Sequence, residues 1–235
     1  MEQALLQLRD VSQDYGGLRP LRIKSLDVRP GQRLAILGLD QAAAEVLVNL
    51  LTGSTAPRTG HVRAFGRATA DIPDSATWLM ALRQYGLLGA RTVLIEQLTV
   101  EQNLAIPLTL DVDPMPDALQ AQMRERAEEL GLSGAVLDQF PAALTPLDLQ
   151  RVRLGRALAL EPRLLLAEHP TATLERGDAD AFARDMSRIV AARGMAALYI
   201  TADRAFAEQA ADEIVMLKPA TGDFVSAVGW RRWRG

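Results

Sequence analysis

Residues 33–53 read RLAILGLDQAAAEVLVNLLTG, and this stretch decides the fold class. Its first residues are mostly apolar and run to Gly38, as expected of a strand that is buried on both faces. From Gln41 to Leu51 the apolar residues recur at helical spacing, and Gly53 stands where glycine commonly ends a helix. The stretch therefore predicts a buried strand, a tight turn and a helix that packs on the sheet.

The same alternation of strand and helix continues along the chain. Further strands are predicted at residues 5–11, 21–28, 163–167, 196–201 and 213–217. Further helices are predicted at residues 117–131, 147–160, 178–193 and 204–211. This alternation predicts one α/β domain over residues 1–235 with a parallel sheet. The core would comprise about 1–89 and 151–220, with a helical subdomain at about 90–150 and a tail at 221–235.

Composition narrows the possible functions. The chain has 235 residues and no cysteine, which excludes disulfides and thiolate metal sites. Its net charge of −3 gives no indication of nucleic-acid binding. Only two lysines occur, Lys24 and Lys218. No apolar run is long enough to span a bilayer and the N-terminus lacks a secretory signal, so a cytoplasmic location is expected.

Several motifs follow one another in a fixed order and spacing. They are LLTG at 50–53, TGHV at 59–62, LTVEQN at 98–103, QRV at 150–152, RAL at 156–158 and LLLAEHP at 164–170. Together they resemble the ATP-binding subunit of an ABC transporter along almost the whole chain. The branch that serves lipid, lipoprotein and peptide exporters is the most similar. The resemblance implies a P-loop NTPase-like, RecA-type core with an antiparallel β subdomain and a helical subdomain.

The phosphate loop departs from that family's pattern, which reads G-x-x-G-x-G-K-S/T. The slot begins at Gly38, but Ala44 replaces the lysine that reaches the β- and γ-phosphates. Glu45 replaces the hydroxyl that binds Mg²⁺, and Gln41 and Ala43 replace two glycines of the phosphate cradle. These changes predict that the chain has lost tight nucleotide binding.

An internal substitute for the phosphate is predicted at the same place. Asp40 comes directly before the helix-forming run Ala42-Ala43-Ala44, and aspartate is a favoured N-cap. The helix should therefore begin within a residue or two of Asp40. Its carboxylate should accept a hydrogen bond from the backbone N–H of Ala42 or Ala43 and fill the anion site from within.

The family's other site positions are also replaced. The LSGGQ signature aligns with Leu144, Thr145, Pro146, Leu147 and Asp148. The acidic pair after the apolar strand aligns with Glu168 and His169, the Q-loop glutamine with Ala90, and the switch histidine with Ala202. Glu168 could carry charge toward a metal, and His169 could replace the catalytic base. Tyr15 keeps the position of an aromatic that stacks on adenine, and packing within the core is its alternative role.

These residues favour a catalytically degenerate subunit with no cofactor and no metal site. It would lie at the inner face of the cytoplasmic membrane as a structural or regulatory partner of a transmembrane permease, as a homodimer or beside another ABC ATPase subunit. The alternative is a working ATPase subunit that uses ATP and Mg²⁺, and the second alternative is a soluble interaction module without a permease. The segment Trp230-Arg231-Arg232-Trp233-Arg234 suits either a membrane interface or an exposed end.

Overall fold

Two sheets organise this computed structural model, which describes residues 3–17 and 19–227. The strands are β1 (Leu6–Gln13), β2 (Leu21–Val28), β3 (Arg33–Leu37), β4 (Thr59–Ala64), β5 (Arg67–Ala68), β6 (Tyr85–Leu88), β7 (Leu164–Glu168), β8 (Ala196–Thr201), β9 (Glu213–Lys218) and β10 (Asp223–Ser226). The helices are α1 (Gln41–Thr52), α2 (Ser75–Leu82), α3 (Val100–Ala105), α4 (Asp117–Leu130), α5 (Pro146–Leu158), α6 (Arg176–Ala192) and α7 (Arg204–Ala210).

The larger sheet is mostly parallel. Its six strands run in the order β10-β9-β3-β8-β7-β6, and β10 alone pairs antiparallel, with β9. The smaller sheet has the order β2-β1-β4-β5 and is antiparallel. Because the ends of neighbouring parallel strands meet at one edge, the turns after β3, β6, β7 and β8 are brought together there.

Strand β3 separates two hydrophobic cores. Ala35 and Leu37 face a core shared with the middle and C-terminal helices, whereas Leu34 and Ile36 face a core shared with α1 and the smaller sheet. Alternate residues of a strand point to opposite faces, so a strand buried on both faces carries a continuous apolar run. This is the reason that residues 33–37 lack a polar–apolar alternation.

Helices α3, α4 and α5 pack on one another beside the larger sheet. Gly155 allows this packing, because a Cβ on it would lie 2.5 Å from side-chain atoms of both Leu104 and Leu130. Asn103 is fully buried and its Nδ2 donates to the carbonyls of Ile95, Leu98 and Thr99 at 2.9–3.0 Å. This amide therefore fixes the loop that leads into α3.

Some elements of the structure are absent from the sequence prediction. Helix α2 and strand β6 were not predicted, since α2 buries none of its residues and β6 has only four. Within the segment at 221–235 that was predicted as a tail, residues 223–226 form β10. Gly222, with a φ of 76°, makes the turn that returns this strand to β9.

Within residues 3–17 and 19–227, no helix is long and apolar enough to cross a membrane. The Trp/Arg segment at 230–234 lies outside the described residues.

Candidate functional site: a closed phosphate loop

A capped helix stands at the phosphate-loop position. Strand β3 ends at Leu37, and Gly38 turns the chain with a φ of 88°, which residues with a Cβ rarely adopt. Asp40 is the N-cap of α1, and its Oδ1 accepts a hydrogen bond of 2.8 Å from the N–H of Ala43. The predicted helix start and internal cap are both confirmed. One of the donors that would face an anion at this helix N-terminus, the N–H of Ala43, is therefore already paired.

The cap has a measurable contribution to stability. We expect Asp40→Ala to lower the free energy of unfolding by about 1 kcal/mol, because one helix N–H loses its acceptor. Asp40→Asn should change it little, since an amide oxygen also accepts this bond. Urea denaturation of the two variants provides the measurement. An equal loss in both variants would mean that the charge of Asp40, and not its cap, stabilises the loop.

Glu168 is paired within the chain. It ends β7 with only 8% of its surface exposed, and its Oε1 accepts a hydrogen bond from Nε2 of Gln41. Burial raises the pKa of Glu168 above its usual value, while the charges of Arg91 and His169 and the bond from Gln41 act in the opposite direction. Gln41, which replaces a cradle glycine, therefore closes the space between the phosphate loop and β7.

Arg91 joins the loop after β6 to α1. Its Nη1 donates a hydrogen bond of 2.8 Å to Oδ1 of Asn49 and lies 4.0 Å from Oε1 of Glu45. Asn49 and Glu45 are one helical turn apart on α1, so the guanidinium reaches both. The sequence analysis did not single out Arg91. The sequence offered one signal for it: Arg91 is the only basic residue at positions 89–99 and follows Ala90, which aligns with the Q-loop glutamine.

His169 lies at the turn after β7 in a left-handed conformation, with a φ of 44°. Its N–H donates to the carbonyl of Ile200 at 2.8 Å. Its Nε2 is buried and has no hydrogen-bond partner among the described residues. Ala202 is exposed and has no side-chain donor at the switch position. The structure thus brings His169 to the sheet edge without the second polar group that the family has there.

The polar side chains at the signature position also form hydrogen bonds within the chain. Thr145 caps α5 and accepts a hydrogen bond of 3.1 Å from the N–H of Asp148, and its hydroxyl donates to Oδ2 of Asp148 at 2.9 Å. Nη1 of Arg151 donates to Oδ1 of the same carboxylate at 3.2 Å. Pro146 is the first helical residue and has no N–H to offer. The start of α5 therefore presents a paired carboxylate where the family grips a phosphate.

Three further predicted residues pack against the hydrophobic cores. Leu144 and Leu147 are partly buried against the core shared with the middle and C-terminal helices. Tyr15 is partly buried against the core shared with α1 and the smaller sheet. The Tyr15 ring lies over Gly17, where a Cβ would come within 2.7 Å of Cζ. Tyr15 therefore has the packing contacts that were its alternative role.

The residues at these positions differ from those that bind MgATP in the family pattern. Ala43 and Ala44 are buried in the position of the cradle and its lysine, and Glu45 adds negative charge where a triphosphate would bind. Lys24 lies on β2, where its Nζ is 3.5 Å from Oδ1 of Asp223. Within the two described ranges, no three His, Asp or Glu side chains come close enough together to hold a metal ion.

A groove separates the larger sheet from the helical part, and we refer to it as the subdomain groove. It has a volume of about 330 Å³, and its lining includes Leu87, Arg91, Val93, Arg156 and Leu160. Nη1 of Arg156 donates to the carbonyl of Val93 at 2.7 Å, which ties that part of the loop to α5. Three of the lining residues are exposed apolar side chains, namely Leu87, Val93 and Leu160.

The larger sheet has a central strand that leads through a glycine turn into a helix. An antiparallel sheet lies beside it, and a helical part is inserted in the chain. This architecture defines an ABC-type ATP-binding cassette. The sequence profile described as ABC transporter matches residues 21–172, and the chain belongs to this family of ATP-binding domains. The predicted fold class and family are confirmed.

Two relatives are lipoprotein-releasing system ATP-binding proteins named LolD. The protein of Alcanivorax borkumensis is 34% identical over 81% of this chain and 82% of its own length. The protein of Pseudomonas fluorescens is 30% identical over 88% of this chain and 92% of its own length. Their similarity agrees with the predicted lipoprotein-exporter branch.

Solved structures share the fold at low sequence identity. The structure of cbiO1 from Clostridium perfringens has a TM-score of 0.77 at 17% identity and covers 95% of this chain and 88% of its own. A bacterial ABC transporter cassette solved as a dimer has a TM-score of 0.76 at 20% identity, over 96% of this chain and 100% of its own.

Proposed function

We propose that this chain is a non-hydrolysing ABC subunit that acts as a structural or regulatory partner of a membrane permease. The observation that carries the proposal is the closed phosphate loop, in which Asp40 caps α1 and Gln41 pairs with Glu168. A lost charge-assisted hydrogen bond is worth about 1.5–3 kcal/mol. Without the lysine and the hydroxyl, nucleotide affinity should fall by roughly a thousandfold or more.

A partner subunit does not rescue the site in this proposal. The resemblance places each ATP between the phosphate loop of one subunit and the signature of the other. Asp40, Gln41 and Glu45 change the first half-site, and Pro146 and Asp148 change the second. A homodimer or a heterodimer with an intact ABC ATPase subunit would therefore contain no site completed by this chain.

The permease is inferred from the relatives and from the subdomain groove. Proteins named for a lipoprotein-releasing system match most of this chain. The groove offers exposed apolar side chains near residues 87–103, which end in the preserved LTVEQN segment and are the region through which the resemblance implies coupling to a permease. The chain would then be a cytoplasmic protein bound peripherally at the inner face of the cytoplasmic membrane.

A working ATPase subunit is the alternative function. Two relatives are named ATP-binding proteins, and the buried, unpartnered Nε2 of His169 could act as a base in place of the catalytic glutamate. A soluble interaction module is the second alternative, because a fold does not by itself fix a function. Copurification with a multi-span membrane protein separates this module from both transporter subunits.

Calorimetry with MgATP tests the proposed function. We expect no binding in the micromolar range by the isolated chain, because lysine, hydroxyl and cradle glycines are all absent from the loop. ATP hydrolysis should stay at the background rate. The LolD protein of Alcanivorax borkumensis, measured in parallel, is the positive control. Micromolar affinity for MgATP, or hydrolysis that His169→Ala abolishes, would establish the ATPase alternative.

A further inference from the structure

The guanidinium of Arg91 lies among groups that belong to a metal site in the family pattern. Glu45 stands where the resemblance places the Mg²⁺-binding hydroxyl, and Glu168 stands where it places the metal-facing carboxylate. Nη1 of Arg91 is 4.0 Å from Oε1 of Glu45 and 2.8 Å from Oδ1 of Asn49. Arg91 and Glu168 also line the same groove.

The three charges act on one another. Burial is the largest influence on the pKa of Glu168 and raises it; among the charged groups Arg91 lowers it and Glu45 raises it. A nearby carboxylate disfavours the charged form of another carboxyl group, and a nearby cation acts in the opposite direction. Within the described residues, Gln41 pairs with Glu168 through a neutral amide, so it adds no positive charge.

We propose that Arg91 provides, from within the chain, the positive charge that Mg²⁺ provides in hydrolytic ABC subunits, so that Glu45 and Glu168 form a folded site that takes no metal. The proposal rests on the proposed function. It extends the loss of nucleotide binding at the phosphate loop to a loss of the adjoining metal site. Arginine suits this role because it stays charged at every accessible pH and presents several donors in a fixed plane.

A built-in cation changes what the loop after β6 can do. The resemblance places the Q-loop glutamine in this loop at Ala90, and here the neighbouring Arg91 ties the loop to α1 at Asn49 and Glu45. The loop also lines the subdomain groove, with Leu87 and Val93 on either side of Arg91. The groove would consequently keep one shape irrespective of the nucleotide or Mg²⁺ concentration.

Thermal unfolding with and without magnesium tests this inference. Arg91→Ala should lower the Tm by roughly 2–4 °C, and millimolar MgCl₂ should restore most of that loss, because Glu45 and Glu168 gain an external cation. Wild type should show no such rise. Arg91→Lys should behave like wild type since it keeps the charge. Potassium chloride at the same ionic strength corrects for general salt effects.

Arg83→Ala is the matched control, because Arg83 is exposed in the turn between α2 and β6 and its loss removes the same charge. Its Tm should not respond to magnesium. If Arg91→Ala does not fold, Arg91→Met keeps the aliphatic stem and allows the same comparison. A magnesium response in wild type, or none in either Arg91 variant, would overturn the inference. Because these assays contain no nucleotide, their failure leaves the MgATP calorimetry as a separate test of the proposed function.

Discussion

A chain with a rebuilt phosphate loop should bind MgATP roughly a thousandfold more tightly than wild type. The rebuilt variant combines Asp40→Ser, Gln41→Gly, Ala43→Gly, Ala44→Lys and Glu45→Ser. These changes remove the internal cap, open the cradle, restore the lysine and replace a repelling carboxylate with a hydroxyl. Calorimetry of both proteins under the same conditions measures the gain.

Hydrolysis should remain at background in the rebuilt variant. The base position still holds His169, the switch position still holds Ala202, and the start of α5 still carries Asp148. Binding and catalysis would then be separated in one protein, as expected if several sites were lost independently.

The single change Ala44→Lys is the informative control for that variant. Ala44 has no exposed surface, and Glu45 remains beside it. The lysine alone should therefore cost stability, since a charge is forced into a packed helix, and should give little affinity. Equal affinity in the single and the fivefold variants would show that the cap and the missing glycines do not close the loop.

The sequence predicted the parts of the fold that have a clear period. Strand β3 and helix α1 follow from the apolar run and the helical spacing of residues 33–53 alone, and the cap by Asp40 follows from local chemistry. Helix α2 escaped prediction because none of its residues is buried and its apolar residues, such as exposed Leu79 and Met80, follow no helical period. Strand β6 is too short for a period to be recognised.

The contacts that close the site could not be predicted from the sequence. Gln41 and Glu168 are 127 positions apart, and Arg91 and Asn49 are 42 apart. Both contacts depend on the order of strands in the larger sheet, which brings the turns after β3, β6 and β7 to one edge. A substituted motif shows which group is missing, whereas the fold is needed to show which residue fills its place.

A charge placed in the subdomain groove should release the chain from the proposed permease. We expect Val93→Asp to weaken the complex at least about 30-fold, because a carboxylate would be buried without a partner at an apolar contact. Val93 is 69% exposed in the isolated chain, so the substitution should leave folding almost unchanged. The measurement is the amount of multi-span membrane protein that copurifies with the tagged chain in mild detergent.

Leu110→Asp is the matched control for the groove. Leu110 is a leucine of the segment between α3 and α4 that is 83% exposed and does not line the groove. The buried amide of Asn103 and the bond from Arg156 to the Val93 carbonyl hold the groove loop in place, so Asp at position 93 has no easy way to turn away. Leu110→Asp should therefore copurify like wild type. Equal losses in both variants would indicate a nonspecific effect of added charge, and no loss in either would place the permease contact elsewhere on the chain.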